Sequence, residues 1–96
     1  MRVRIIQPAK SELSEAIDYY NNERPGLGVE FAHEVRLTIK RIVSHPFAWA
    51  KIDVNLRRCP TNRFPFSIIY YIKDNSIIVI AVMHQKRRPK YWRDRL

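Results

Sequence analysis

The sequence predicts an α+β fold, with an N-terminal strand, a two-helix hairpin packed on a small antiparallel sheet, and a basic C-terminal segment. Three observations predict it. Between Ala9 and Ile42, apolar residues recur at spacings of three and four in two stretches separated by a Pro-Gly break. Two β-branched and aromatic runs, Phe66 to Ile72 and Ile77 to Met83, flank the polar segment Lys73, Asp74, Asn75, Ser76. Finally, the stretch Arg63 to Arg95 joins the most apolar part of the chain directly to the most basic.

Taken in order, Arg2 to Ile6 alternates basic with apolar residues until Ile5 and suits a first strand with Val3 and Ile5 turned inward. Pro8 fits the first turn of a helix, where its missing N–H costs nothing. Ala9, Leu13, Ala16, Ile17 and Tyr20 then make one apolar stripe, with Lys10, Glu12, Glu15 and Asp18 on other faces. Asn21 to Gly26 breaks this helix. Leu27, Phe31, Val35, Ile39 and Ile42 form a second stripe that ends before Pro46. A helix from Leu27 to Ser44 would be roughly 27 Å long at about 1.5 Å per residue, enough to cross a small sheet.

Pro46 to Ala50 reads as a loop whose Phe47 and Trp49 rings cap the rim of the core. Ile52, Val54 and Leu56 alternate with polar residues and read as a strand or its approach, and Pro60, Thr61 and Asn62 turn the chain into the hairpin. If Asp74 and Asn75 form a two-residue turn, Lys73 pairs with Ser76 and the register is fixed outward. Tyr70 then faces Val79, Pro65 faces His84 and Arg63 faces Lys86, making Arg63 and His84 diagonal neighbours roughly 7 Å apart. Both hairpin faces are apolar. The helices can cover one, and the other calls for Tyr91 and Trp92 folded back over it.

Ninety-six residues suit one domain, residues 1–96, with a modest core and no room for an elaborate cofactor cradle. Cys59 is the single cysteine and has no partner for an intrachain disulfide; with no apolar signal segment behind Met1 and no run long enough to cross a bilayer, the expectation is a cytoplasmic protein without membrane contact. Of the net charge of +9, residues 35 to 96 hold fourteen basic and three acidic side chains, whereas residues 1 to 34 hold four and six. That asymmetry calls for an acidic partner: nucleic acid, a ribosome or an acidic polypeptide.

Few chemistries fit these residues. His33, His45, His84 and Cys59 are widely separated and match no metal-ligand spacing, and two glycines cannot build a phosphate loop, so neither metal nor cofactor is expected. Cys59, beside Pro60 and without an evident base, reads as a small side chain in partly buried surroundings. A metal-free ribonuclease needs a base, an acid and cations on the phosphate, and Arg63, His84, Arg87 and Tyr91 are the candidates, with Arg88 alongside. The same region can instead be a docking surface. The residues favour docking, through Arg57, Arg58, Arg63, Lys86, Arg87, Arg88, Lys90, Trp92, Arg93 and Arg95.

AKSELSEAIDYY and EFAHEVRLTIKRIVSHP in the helices, RFPFSIIYYI in the strand and VMHQKRRPKYWRDR in the tail resemble the toxins of bacterial toxin–antitoxin systems, the ParE and RelE superfamily of plasmid stabilisation proteins. The resemblance covers nearly the whole chain, and the strand and tail together are its specific part. It implies a toxin neutralised by a cognate antitoxin that wraps it. RelE-like ribonucleases, which cut messenger RNA on the ribosome, carry an arginine in the strand where this chain has Ser67. Serine brings no charge, so cleavage would lose transition-state stabilisation unless Arg57, Arg58 or Arg63 compensates. Arg87 or Arg88 matches that branch's second arginine, and Tyr91 loosely its terminal tyrosine. The tail HQKRRPKYW looks more like ParE-type members, some of which act on DNA gyrase, and the reading therefore leans to a non-nucleolytic toxin. The ribonuclease, and a degenerate member that binds only its antitoxin, stay open.

Overall fold

The two periodic stretches form the two helices, α1 (Gln7–Glu23) and α2 (Leu27–Ser44), in the computed structural model, which describes residues 1–88 and 90–96. Strands β1 (Arg2–Ile5), β2 (Ala50–Lys51), β3 (Arg57–Pro60), β4 (Phe66–Lys73) and β5 (Ser76–His84) make one sheet in the order β1-β5-β4-β3-β2. A short 3₁₀ helix, Tyr91–Arg95, ends the chain. The α+β class is as expected, but the sheet is mixed: β1 runs parallel to β5, Arg2 opposite Ser76 through Ile5 opposite Val79. The connection between them holds both helices and strands β2 to β4, well beyond the dozen or so residues that such a parallel pairing needs. Val3, expected to face inward, is exposed on this edge, while Ile5 packs against the core.

The link between the helices depends on two glycines. Gly26 holds φ of 90°, a left-handed conformation that favours glycine, and so starts α2 within three residues of the end of α1. Gly28 is buried where the helices touch: a Cβ there would lie 2.3 Å from the Ile17 carbonyl oxygen. That closeness lets the Asn21 side chain of α1 accept the Gly28 N–H at 2.8 Å, satisfying a donor of the first turn of α2 that has no intrahelical partner.

In the hairpin, Asp74 (φ 50°) and Asn75 (φ 58°) are both left-handed, the signature of a type I′ turn. Lys73 pairs with Ser76 and Tyr70 with Val79, as the turn dictates. Beyond Tyr70 the register slips by one residue: Ile69 faces Ala81, Ile80 has no partner, and Phe66 rather than Pro65 faces His84. This β-bulge sends Ile80 and Ala81 to the same side of the sheet. Strand pairing stops at Phe66, so the expected pairing of Arg63 with Lys86 is not made.

The core has two layers. Between helices and sheet lie Ala9, Leu13, Ile17, Tyr20, Phe31, Val35, Ile39, Ile42, Ile68, Tyr70, Ile77 and Val79, so both helical stripes face the sheet as their spacing required. On the other face Leu56, Ile69, Ile78, Ile80, Ala81 and Trp92 cluster, with Tyr91 packed against them. The tail covers this second face, as two apolar hairpin faces demanded. Residues 52 to 55 are a bend, not a strand; the alternating segment falls between β2 and β3, and Leu56 alone is fully buried. Phe47 is 66% exposed rather than at the core rim, whereas Trp49 does pack against it. Cys59 is wholly buried, and burial pushes its thiol up to about 11.

Gly28→Ala should lower stability by about 1 to 3 kcal/mol, because the clash is with backbone that cannot swing aside and the Asn21 cap is lost with it. Urea denaturation of the variant checks this, and an unchanged midpoint would show that the helices do not pack this closely.

Candidate functional site

The basic segment owes its position to a carboxylate. β1 covers β5 only as far as Val79, so beyond the bulge the outer edge of β5 lacks a strand neighbour. Glu12 on α1 fills that gap. Its carboxylate accepts the Val82 N–H at 3.1 Å, the Tyr91 hydroxyl, and Arg95 Nη1 at 2.7 Å. The same Arg95 nitrogen donates to the carbonyl of bulged Ile80 at 2.9 Å. The ion pair is thus largely shielded, with side chains 12% and 18% exposed for Glu12 and Arg95. Burial pushes the Tyr91 hydroxyl well above the ordinary phenol range, and donation to Glu12 adds to the shift. Burial opposes the Arg95 charge, but the hydrogen bond and charge of Glu12 more than offset it, so its affinity for a proton rises.

The tail anchored in this way presents cations. Lys86, Arg87, Arg88, Lys90 and Arg93 are exposed. Arg87 stacks on the Tyr91 ring at 4.0 Å, which orients its guanidinium without giving it a counter-charge. The Lys86 N–H donates to His84 Nδ1 at 3.0 Å, so the neutral imidazole carries its proton on Nε2. His84 packs edge-on against Phe66, with ring centroids 5.0 Å apart. His84 and Arg87 also line an open groove of about 540 Å³, together with Glu12, Glu15, Ala16, Tyr19 and Tyr20 of α1, Pro65 and Phe66, and Val82.

The other candidate residues have different surroundings. Arg57 Nη1 donates to the carbonyls of Phe47 and Trp49 at 3.0 and 2.8 Å, tying down the loop after α2. Arg58 Nε donates to Ser67 Oγ at 3.0 Å, and Ser67 is fully buried. Arg63 pairs with Glu30 of α2 at 2.9 Å and lies over Phe64 at 4.9 Å. Trp92 is 2% exposed, within the second core layer. Of the four candidate catalytic residues, His84, Arg87 and Tyr91 lie around the end of β5 and the tail, while the ion pair of Arg63 is with α2. Among the described residues, no group of histidine, cysteine and carboxylate side chains is arranged to hold a metal ion, and no helix is long and apolar enough to cross a membrane.

Sequence reasoning missed two carboxylates. The spacing assigns Glu12 to a face other than the apolar stripe, yet it lies three residues after Ala9 and four before Ala16, both buried, and so on the inward face. Glu34 is 7% exposed between Phe31 and Thr38 on α2, and Oε2 accepts the backbone N–H groups of Asn62 and Arg63, locking the turn before β4. A glutamate inside an apolar stripe was the available signal in both cases.

Residues 3–89 match the family model described as ParE toxin of type II toxin–antitoxin system, parDE. Among solved structures, a chain of a chromosomal ParDE TA system from P. aeruginosa superimposes with a TM-score of 0.77 at 18% sequence identity, over 88% of this chain and 95% of that one. No curated protein matches.

Glu12→Gln should cost about 2 to 4 kcal/mol, since it keeps the shape but leaves Arg95 shielded without its counter-charge. Chemical denaturation of the variant checks this, and a loss below about 0.5 kcal/mol would place the pair in the class of weak surface ion pairs.

Proposed function

The chain belongs to the family of ParE toxins of type II toxin–antitoxin systems, and on that premise we propose that it arrests growth by binding DNA gyrase through its basic tail, without cutting nucleic acid. One observation carries the reading. Lys86, Arg87, Arg88, Lys90 and Arg93 are exposed on a tail that Glu12 and Trp92 hold in place, so these cations are available to a partner while Arg95 and Trp92 do the anchoring. Such clustering is electrostatically costly, and nothing in the core requires it.

The surroundings of the candidate catalytic residues support the same reading. A general acid or base needs a proton affinity near the working pH and a proton free to move. The Tyr91 hydroxyl is committed to Glu12 and its pKa is raised, mainly by burial, away from that range. Arg63 is engaged with Glu30. The cognate antitoxin would neutralise the toxin with a segment both acidic and apolar, its acids meeting the tail and its apolar side chains meeting exposed Val29 and Leu37 on α2.

Ribosome-dependent cleavage of messenger RNA is the second reading, favoured by one contact. Arg58 reaches Ser67, the position where the ribonuclease branch carries its strand arginine, and so brings a guanidinium to that point from the neighbouring strand.

Expression in a bacterial host separates the two. Reversing the charge of Arg87 and Arg88 should abolish growth arrest with the fold intact by circular dichroism, and the wild type should induce the DNA damage response while message stays whole. Arg58→Ala should leave arrest unchanged. Message cleavage on ribosomes that Arg58→Ala or His84→Ala stops would establish the ribonuclease instead.

A further inference from the structure

The groove between α1 and the end of β5 has a composition that the binding of a protein target leaves unexplained. Its walls are aromatic: Tyr19 is 59% exposed and meets Tyr20 edge-on with ring centroids 5.3 Å apart, and Phe66 and His84 form the facing pair. An exposed tyrosine ring held in place by a second ring is a ready stacking surface. Arg87 stands at the rim, followed directly by exposed Arg88, with Lys86 before it and Lys90 beyond. Exposed cations beside an aromatic slot are the pattern by which proteins hold single-stranded nucleic acid, with phosphates on the cations and a base against a ring.

The carboxylates in the groove fit this assignment. Glu12 is neutralised by Arg95 and engaged by Tyr91, so it repels little. Glu15 is exposed on the groove wall and can accept from a ring N–H or amino group on the edge of a base or from a sugar hydroxyl. The remaining lining, Ala16, Pro65, Phe66 and Val82, is apolar at the side chain. A volume of about 540 Å³ is within the range of small-ligand sites and takes one nucleotide unit, not a duplex.

We infer that this groove and the adjoining cations form a binding site for single-stranded nucleic acid, with one unstacked base resting on Tyr19 and the neighbouring phosphates drawn to Lys86, Arg87, Arg88 and Lys90. This goes beyond gyrase binding and does not depend on it, since the site needs no protein partner.

Fluorescence anisotropy with the purified full-length chain and a labelled dodecamer of thymidylate tests it. Affinity should fall with salt at a log–log slope of about −3, as expected for roughly four phosphates neutralised on a single strand. Tyr19→Ala should weaken binding at least about fivefold, and Tyr19→Phe, which keeps the ring, should not. On an oligonucleotide of abasic sites, wild type and Tyr19→Ala should bind alike. Because Tyr19 is on the surface, circular dichroism should report an unchanged fold for both variants. A Tyr19→Ala loss as large on the abasic strand, or no loss on thymidylate, would reduce the contact to charge alone and overturn the site. A uridylate dodecamer should show the same dependence on Tyr19, because every base has a face to stack, and binding of either strand that ignores the ring would overturn the site. Absence of binding with growth arrest intact would remove this proposal and leave the gyrase reading standing.

Discussion

An edge strand whose polar groups need partners is the constraint on which the rest of this molecule depends. β1 is only four residues long and β5 is nine, so about half of β5 projects past its parallel neighbour. Unpaired backbone at a sheet edge invites association with other chains, and proteins commonly close it with charge or cover. Here both are used at once. The carboxylate of Glu12 takes the Val82 N–H, the guanidinium of Arg95 takes the Ile80 carbonyl, and the two charges neutralise each other. One cluster therefore closes the edge, fixes α1 against the sheet and returns the C-terminus to the body of the protein.

The second apolar face of the sheet is covered as a consequence. Returning the tail to Glu12 brings Trp92 over Ile69, Ile78 and Ile80, which would otherwise be open to water. The bulge matters to this packing, because without it Ile80 and Ala81 would alternate and only one would meet the indole. Glu34 performs the corresponding task on the other helix, receiving the backbone of Asn62 and Arg63 so that β4 enters the sheet at Phe66. Each helix thus contributes one inward carboxylate that substitutes for a missing backbone partner.

Much of this was legible in the residues. The helical stripes and the Asp74-Asn75 turn specify their own geometry locally, so both helices, the hairpin and the first half of its register follow from spacing. The bulge did not, because Val79 to Val82 are all apolar and no alternation marks the slip. That one residue moved His84 opposite Phe66, and the strand pairing that would have carried Arg63 towards it ends there. The parallel β1 pairing and the partners of Arg57, Arg58 and Arg63 depend on contacts between segments distant in sequence, which no local pattern encodes. Within the tail, basic residues look alike in the sequence. Burial separates them, assigning Arg95 to the anchor and leaving Lys86, Arg87, Arg88, Lys90 and Arg93 exposed.

The division of labour inside the tail is the central claim, and it depends on the edge of β5 being closed by side chains from α1 and the C-terminus. Amide hydrogen exchange at Val82 measures that closure directly. If Glu12 holds the edge, the Val82 amide should exchange about as slowly as amides at the centre of the sheet, because opening it requires detaching the tail. Exchange as fast as that of an exposed edge amide, with the centre of the sheet still protected, would show that the clamp does not form and that the tail is not anchored by it.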